Sequence, residues 1–176
     1  MTRDVDLADA VLAAWKTSNR VTTFLFENLP SDVWAMPVPG TSRRTVRMIA
    51  GHIHNARCMW IKMLGRQHGI RVPKSVKRFT VTRRELLPAL QRSSHGVLEL
   101  LELGIDHGGR IPAPGVAWVN LPVDVVHVLS YLVAHEGHHR GQIVMLARQT
   151  GHRLPIEITG GLWQWSKRAK EASVTR

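Results

Sequence analysis

A chain of 176 residues with 44% hydrophobic residues is long enough to bury a proper core and short enough to read as one domain, 1–176. Acidic Asp4, Asp6 and Asp9 stand where an export signal would carry basic residues, and no uncharged apolar run approaches membrane-spanning length, so a soluble, cytoplasmic protein is expected and neither an exported nor a membrane-spanning one. Cys58 is the only cysteine, which rules out an internal disulfide, and the net charge of +11 is uneven: no acidic residue lies between Asp32 and Glu85, an interval holding twelve Lys and Arg.

From Val5 to Asn28, Ala8, Val11, Leu12, Trp15, Thr22 and Leu25 recur at three- and four-residue steps, with Leu29 continuing the series, and predict an amphipathic helix ended by Pro30. Ser31 caps a short turn through Trp34, and Pro37, Pro39 and Gly40 mark a loop. A second helix is expected from an N-cap at Thr41 or Ser42 to Leu64, with Val46, Ile49, Ile53, Ala56, Trp60 and Leu64 as its buried stripe and Gly65 as its end. The next stretch carries Arg66, His68, Arg71, Lys74, Lys77 and Arg78 without periodicity and reads as a basic, mobile crossover.

Thr82 and Glu85 form a capping-box pattern, which starts a third helix running to Asp106; Pro88 either kinks it or moves its start to Leu87. After Gly108 and Gly109, residues Arg110 to Pro122, with three prolines and Trp118, predict a loop long enough to fold over a site. The fourth helix is expected from Pro122 to Thr150, with Val126, Leu129, Leu132, Val133, Glu136, His139, Ile143 and Leu146 on or beside one stripe and Gly151 as C-cap. A short final helix follows from Gly160 to Ala172. No strand is predicted. Four long helices give an all-α fold, a four-helix bundle with a long crossover connection, and the inward faces of bundles are recurrent places for metal sites.

The chemistry concentrates in His135-Glu136-Gly137-His138-His139-Arg140-Gly141-Gln142 on the fourth helix. His135 and His139, four residues apart, neighbour each other on one helical face, the spacing that lets two imidazoles reach one ion. The second helix offers a third: His52 adjoins Ile49, Ile53 and Ala56, whereas His54 lies roughly 200° further round and is held in reserve. Three neutral imidazoles with a position left open match a catalytic zinc site, and nickel or iron also accept imidazoles. Such an ion lowers the pKa of bound water or holds a thiol as thiolate.

The same residues satisfy H-E-x-x-H, in which the glutamate serves as general base of a metalloprotease. The extended pattern wants Gly and His downstream, where Gln142 and Met145 stand, and Glu157 lies beyond the break at Gly151 and Pro155. Glu136 is therefore carried as a candidate base or ligand-supporting residue, against the plainer reading of a helix glutamate paired with Arg140. Arg140 and Gln142 each orient a ligand histidine or hold a neighbouring helix. A non-enzymatic alternative is polyanion or nucleic-acid binding through Arg43, Arg44, Arg47, Lys74, Lys77, Arg78, Arg83 and Arg84, disfavoured because no reading motif accompanies the charge.

The segment from His135 to Ile143 closely resembles the H-x-x-x-H-R-G-Q segment of the DinB-like (YfiT-like) metalloenzymes. Gly51 to Arg57 is similar to that family's helix-two histidine segment, and Leu154-Pro155 and Gly161-Leu162-Trp163-Gln164-Trp165 resemble segments downstream of that motif in a subset of members. The resemblance implies an up-down-down-up four-helix bundle, usually a homodimer, with a zinc or nickel site whose ligands are His52, His135 and His139. It also implies a small-molecule substrate, with transfer of a low-molecular-weight thiol to an electrophile as the leading activity and metal-dependent hydrolysis as the alternative. The basic interval departs from what the resemblance accounts for.

Overall fold

The computed structural model describes residues 6–41, 43–112 and 121–174. Its helices are α1 (Leu7–Asn28), α2 (Ser31–Trp34), α3 (Val46–Leu64), α4 (Arg83–Asp106), α5 (Val125–Gln149), α6 (Ile156–Gly161) and α7 (Trp165–Val174), with a 3₁₀ turn at Arg66–His68. Among the described residues the only β-type pairings are isolated bridges, Pro37 with Thr45 and Arg110 with Asp124. No helix there is long and apolar enough to cross a membrane. Val5, Ser42 and Trp118 lie outside the described residues.

The helix ends follow local chemistry. Asp6 caps α1 by accepting from the Ala8 and Asp9 amides at 2.9 and 3.2 Å, satisfying donors that lack intrahelical partners. The capping box at Thr82 and Glu85 is formed, and α4 runs from Arg83 straight through Pro88, so the start at Leu87 is not used. At the end of α5, Gly151 takes a left-handed φ of 83°. The His152 amide then reaches the Ala147 carbonyl at 2.8 Å and the Gly151 amide reaches that of Arg148 at 3.3 Å, a paired closure that favours glycine at this position.

Two starts fall later than expected because the preceding chain is bridged. The Val38 amide bonds the Arg44 carbonyl at 2.7 Å and the Val46 amide bonds that of Met36 at 3.0 Å, so α3 starts at Val46, not after Thr41 or Ser42. Likewise the Ile111 amide bonds the Val123 carbonyl at 2.9 Å, and α5 starts at Val125 with Asp124 accepting from the His127 amide at 3.0 Å. That start also resets the stripe: Val125, Val128 and Leu132 are buried while Val126 is 48% exposed. The expected final helix is divided into α6 and α7 by a turn at Leu162–Gln164. The basic crossover is pinned as well: the Asn55 side chain bonds both the amide and the carbonyl of Val76, at 2.9 and 3.0 Å.

α1 and α3 each pack against both α4 and α5. Their apolar residues form two clusters. One joins Leu25 and Phe26 of α1, Ile49 and Ile53 of α3, Leu86 and Leu90 of α4, and Ile143 of α5. The other joins Trp15 of α1, Trp60 and Ile61 of α3, Val97 and Leu100 of α4, and Val128 and Leu132 of α5. Burial of each such side chain contributes about 1.5–3 kcal/mol. On every long helix buried polar residues stand between the two clusters: Ser18 and Thr22, His54 and Arg57, Ser93 and Ser94, and Glu136, His139 and Arg140. A polar belt thus crosses the helices at mid-height, and the histidine site opens from it.

Candidate metal centre

The Nε2 atoms of His135 and His52 lie 3.3 Å apart, and those of His139 and His135 lie 3.1 Å apart. One ligand atom from each of the three residues falls within 4.8 Å of the others. Two nitrogens bound to one tetrahedral ion at about 2.0–2.1 Å stand about 3.3 Å apart, and the two separations from His135 match that value. His139 is buried; His52 and His135 are half-buried, leaving one side of the cluster open. Three histidines so placed can hold a metal ion.

Gln142 is placed to orient His139. Its Oε1 lies 2.8 Å from His139 Nδ1, which places the ring proton there and leaves the Nε2 lone pair toward its partners. Its Nε2 lies 2.9 Å from His138 Nε2. The Tyr131 ring stacks on His135 at 5.9 Å and meets Trp60 edge-on at 5.2 Å. Alongside the histidines is a pocket of about 600 Å³ walled by His52, Asn55, Ala56, Met59, Arg78, Tyr131 and His135.

The electrostatics keep these imidazoles neutral. Burial, then the neighbouring His139 and His135, then Arg78 and Arg44, lower the pKa of His52 to about 4. Burial and His139 lower His135, and burial lowers His139 against the opposing effect of the hydrogen bond that its ring donates to Gln142. Neutral imidazole is the form that ligates a metal.

The structure places the other sequence candidates elsewhere. Glu136, 1% exposed, receives Arg57 Nε at 2.6 Å on Oε1 and Arg57 Nη2 at 2.8 Å on Oε2. Thr22 donates its hydroxyl to Oε2 at 2.7 Å and itself accepts from Arg140 Nη1 at 2.7 Å. Burial works to raise the Glu136 carboxyl, but the Arg57 charge and these hydrogen bonds outweigh it and hold the pKa below the usual range. Its two oxygens are thus taken up by α1 and α3, and Arg140 serves the same network. His54 is fully buried between Ser93 Oγ and the Lys74 carbonyl, each 3.0 Å away, outside the cluster. Cys58 Sγ lies 3.4 Å from His54 Nε2, but burial pushes its thiol up to about 11, so it stays protonated at neutral pH.

Arg57 and Tyr131 were not legible as site-supporting residues. Arg57 alone carried a usable signal: a charge four residues after Ile53, inside an apolar stripe, needs a buried partner.

The sequence model described as the DinB family matches residues 1–171 of the chain. No curated protein matches it.

Proposed function

The chain belongs to the DinB family, and on that premise we propose that it is a metal-dependent enzyme that transfers a low-molecular-weight thiol to a small electrophilic substrate. The observation that carries this reading is the grouping of three histidines from α3 and α5, their ligand atoms all within 4.8 Å of one another and two Nε2···Nε2 separations of 3.1 and 3.3 Å. His52, His135 and His139 are the proposed ligands and zinc the proposed ion, with nickel or iron as substitutes. An ion held there supplies a Lewis acid that keeps a thiol deprotonated at neutral pH.

The chain's own residues do the rest. Gln142 holds the proton of His139 on Nδ1 and so aims Nε2. Glu136 and Arg140 act as positioning residues, since the pairs they form with Arg57 and Thr22 set the spacing of α1, α3 and α5. Two cations, Arg78 and Arg44, act on His52, and no carboxylate is among the described residues that line the adjoining pocket. Neutral ligands leave the charge of a divalent ion uncompensated, and beside two arginines such a site favours an anion in its open position. A thiolate supplies that charge; a neutral amide does not. The up-down-down-up course, in which α1 and α5 run from the Trp15 cluster toward the Leu25 cluster while α3 and α4 run back, and pairing into a homodimer belong to the same proposal.

Elemental analysis of untagged protein, with His139→Ala alongside, tests the ion. The expected result is near-stoichiometric metal lost in the variant; unchanged metal uptake by His139→Ala would sink the reading. Incubation of thiols with electrophiles tests the reaction: turnover should require the thiol, and equal turnover with water alone would mark a hydrolase instead.

A further inference from the structure

Between the 3₁₀ turn and α4 the chain is fastened along α3 beside the histidine site. His54 meets the Lys74 carbonyl at 3.0 Å. Asn55 holds Val76 through both of its amide atoms. At Gly51 an added Cβ would meet Arg78 Cγ at 3.3 Å and Val76 Cγ2 at 3.4 Å. Alternate residues 74, 76 and 78 therefore touch α3 at 54, 55 and 51, around His52. Because Gly51 carries no side chain, the aliphatic stem of Arg78 lies against the helix beside His52, and the residue forms part of the pocket wall that His52 and His135 complete.

The guanidinium has no acidic partner among the described residues. Arg20, Arg57, Arg140 and Arg168 each pair with a glutamate, and no acidic residue walls the pocket. Asn55, the other polar non-histidine side chain of the wall apart from Tyr131, is neutral and spends one donor and one acceptor on Val76. The pocket thus offers one planar cation on an anchored stem next to the open side of the histidines. A single guanidinium fork matches a carboxylate, two parallel N–H donors to two oxygens.

We propose that Arg78 is a binding residue for a carboxylate carried by the small thiol that occupies the histidine site. This rests on the reading of the three histidines as a thiol-binding metal centre, and it narrows the substrate class to carboxylate-bearing thiols. Arg78 confers selectivity and takes no part in proton transfer.

The test compares 3-mercaptopropionate and mercaptosuccinate with 2-mercaptoethanol, which lacks the carboxylate, on the cobalt-loaded full chain. Binding is followed by the thiolate-to-cobalt absorption band. In the unaltered protein the carboxylate thiols bind more tightly. Arg78→Gln weakens them by about tenfold or more and weakens 2-mercaptoethanol far less, while Arg78→Lys keeps part of the preference. Equal weakening of all three thiols, or a preference that survives Arg78→Gln, overturns the proposal. Calorimetric titration of the metal-free chain with the same compounds separates the two readings. If cobalt is not taken up, the metalloenzyme reading fails, and a carboxylate preference that Arg78→Gln abolishes still upholds the role of Arg78, whereas its absence removes both.

Discussion

Arg57 and Glu136 make a two-point ion pair at 2.6 and 2.8 Å with 1% of either side chain exposed, and they join the two helices that carry the histidines. Arg57 is five residues past His52 on α3, and Glu136 follows His135 on α5. Arg57 also donates to Asn19 Oδ1 at 2.8 Å and to the Leu90 carbonyl at 3.1 Å, so one side chain reaches all four long helices. Glu136→Gln leaves two buried guanidinium groups without a counter-charge. It should destabilise the fold by about 3–5 kcal/mol, with replacement of Arg57 and Glu136 together by methionine recovering the part of the loss that belongs to Arg57. Denaturant unfolding of the unaltered chain and the two variants measures this. A Glu136→Gln protein of unchanged stability would contradict the structural role and return the residue to consideration as a base.

Gln142 is only half-buried, and its contacts are His139 and His138. Gln142→Ala should therefore cost little stability, within about 0.5 kcal/mol, yet weaken metal binding by about 10–100-fold. His139→Ala should remove binding. Competition against a chromophoric chelator reads both. Equal affinity for Gln142→Ala and the unaltered chain would show that the His139 tautomer needs no support.

The sequence made legible whatever depends on local periodicity. The stripe of α3, the capping box of α4, the closure at Gly151 and the three converging histidines all follow from spacing within one helix or from apolar faces. What it hid depends on partners distant in the chain. Thr45 and Asp124 are tied into bridges that delay two helix starts, and no pattern within α3 or α5 announces them. Glu136 reads from sequence as a helix glutamate paired with Arg140 four residues on, but its nearest cation is Arg57, 79 positions away. The crossover looked mobile because it lacks periodicity; its order comes from Asn55 and His54 on another element.

Protonation should act on the metal-free protein in a defined window. The pKa of His52 is lowered to about 4 from 6.5, and those of His135 and His139 are lowered too. A histidine of this kind binds protons more readily in the unfolded chain, so its contribution to stability is fully present above about 6.5 and declines as pH falls toward the folded value. The melting temperature measured in chelator should therefore drop between pH 6.5 and about 4. Added metal should raise it at pH 7 by more than at pH 5, because protons compete for the same nitrogens. A metal-free melting temperature flat across this window, or an increment from metal that does not shrink on acidification, would argue against neutral, closely grouped imidazoles.

Asn55 connects crossover order to ligand choice. Its carboxamide satisfies the amide and carbonyl of Val76 at 2.9 and 3.0 Å, and Val76 is followed two residues later by Arg78. Asn55→Ala leaves both backbone groups to water or unpaired, a cost of about 1–3 kcal/mol, and should speed amide hydrogen exchange at 74–78 while the interior amides of α3 stay protected. Buried Ile70 and Val81 still anchor the ends of the segment, so the chain remains folded. With the stem of Arg78 no longer held against Gly51, the preference for 3-mercaptopropionate over 2-mercaptoethanol should fall, and Asn55→Ala combined with Arg78→Gln should show no larger effect than Arg78→Gln alone. Additive losses would instead mean that Asn55 contacts the ligand through its own amide.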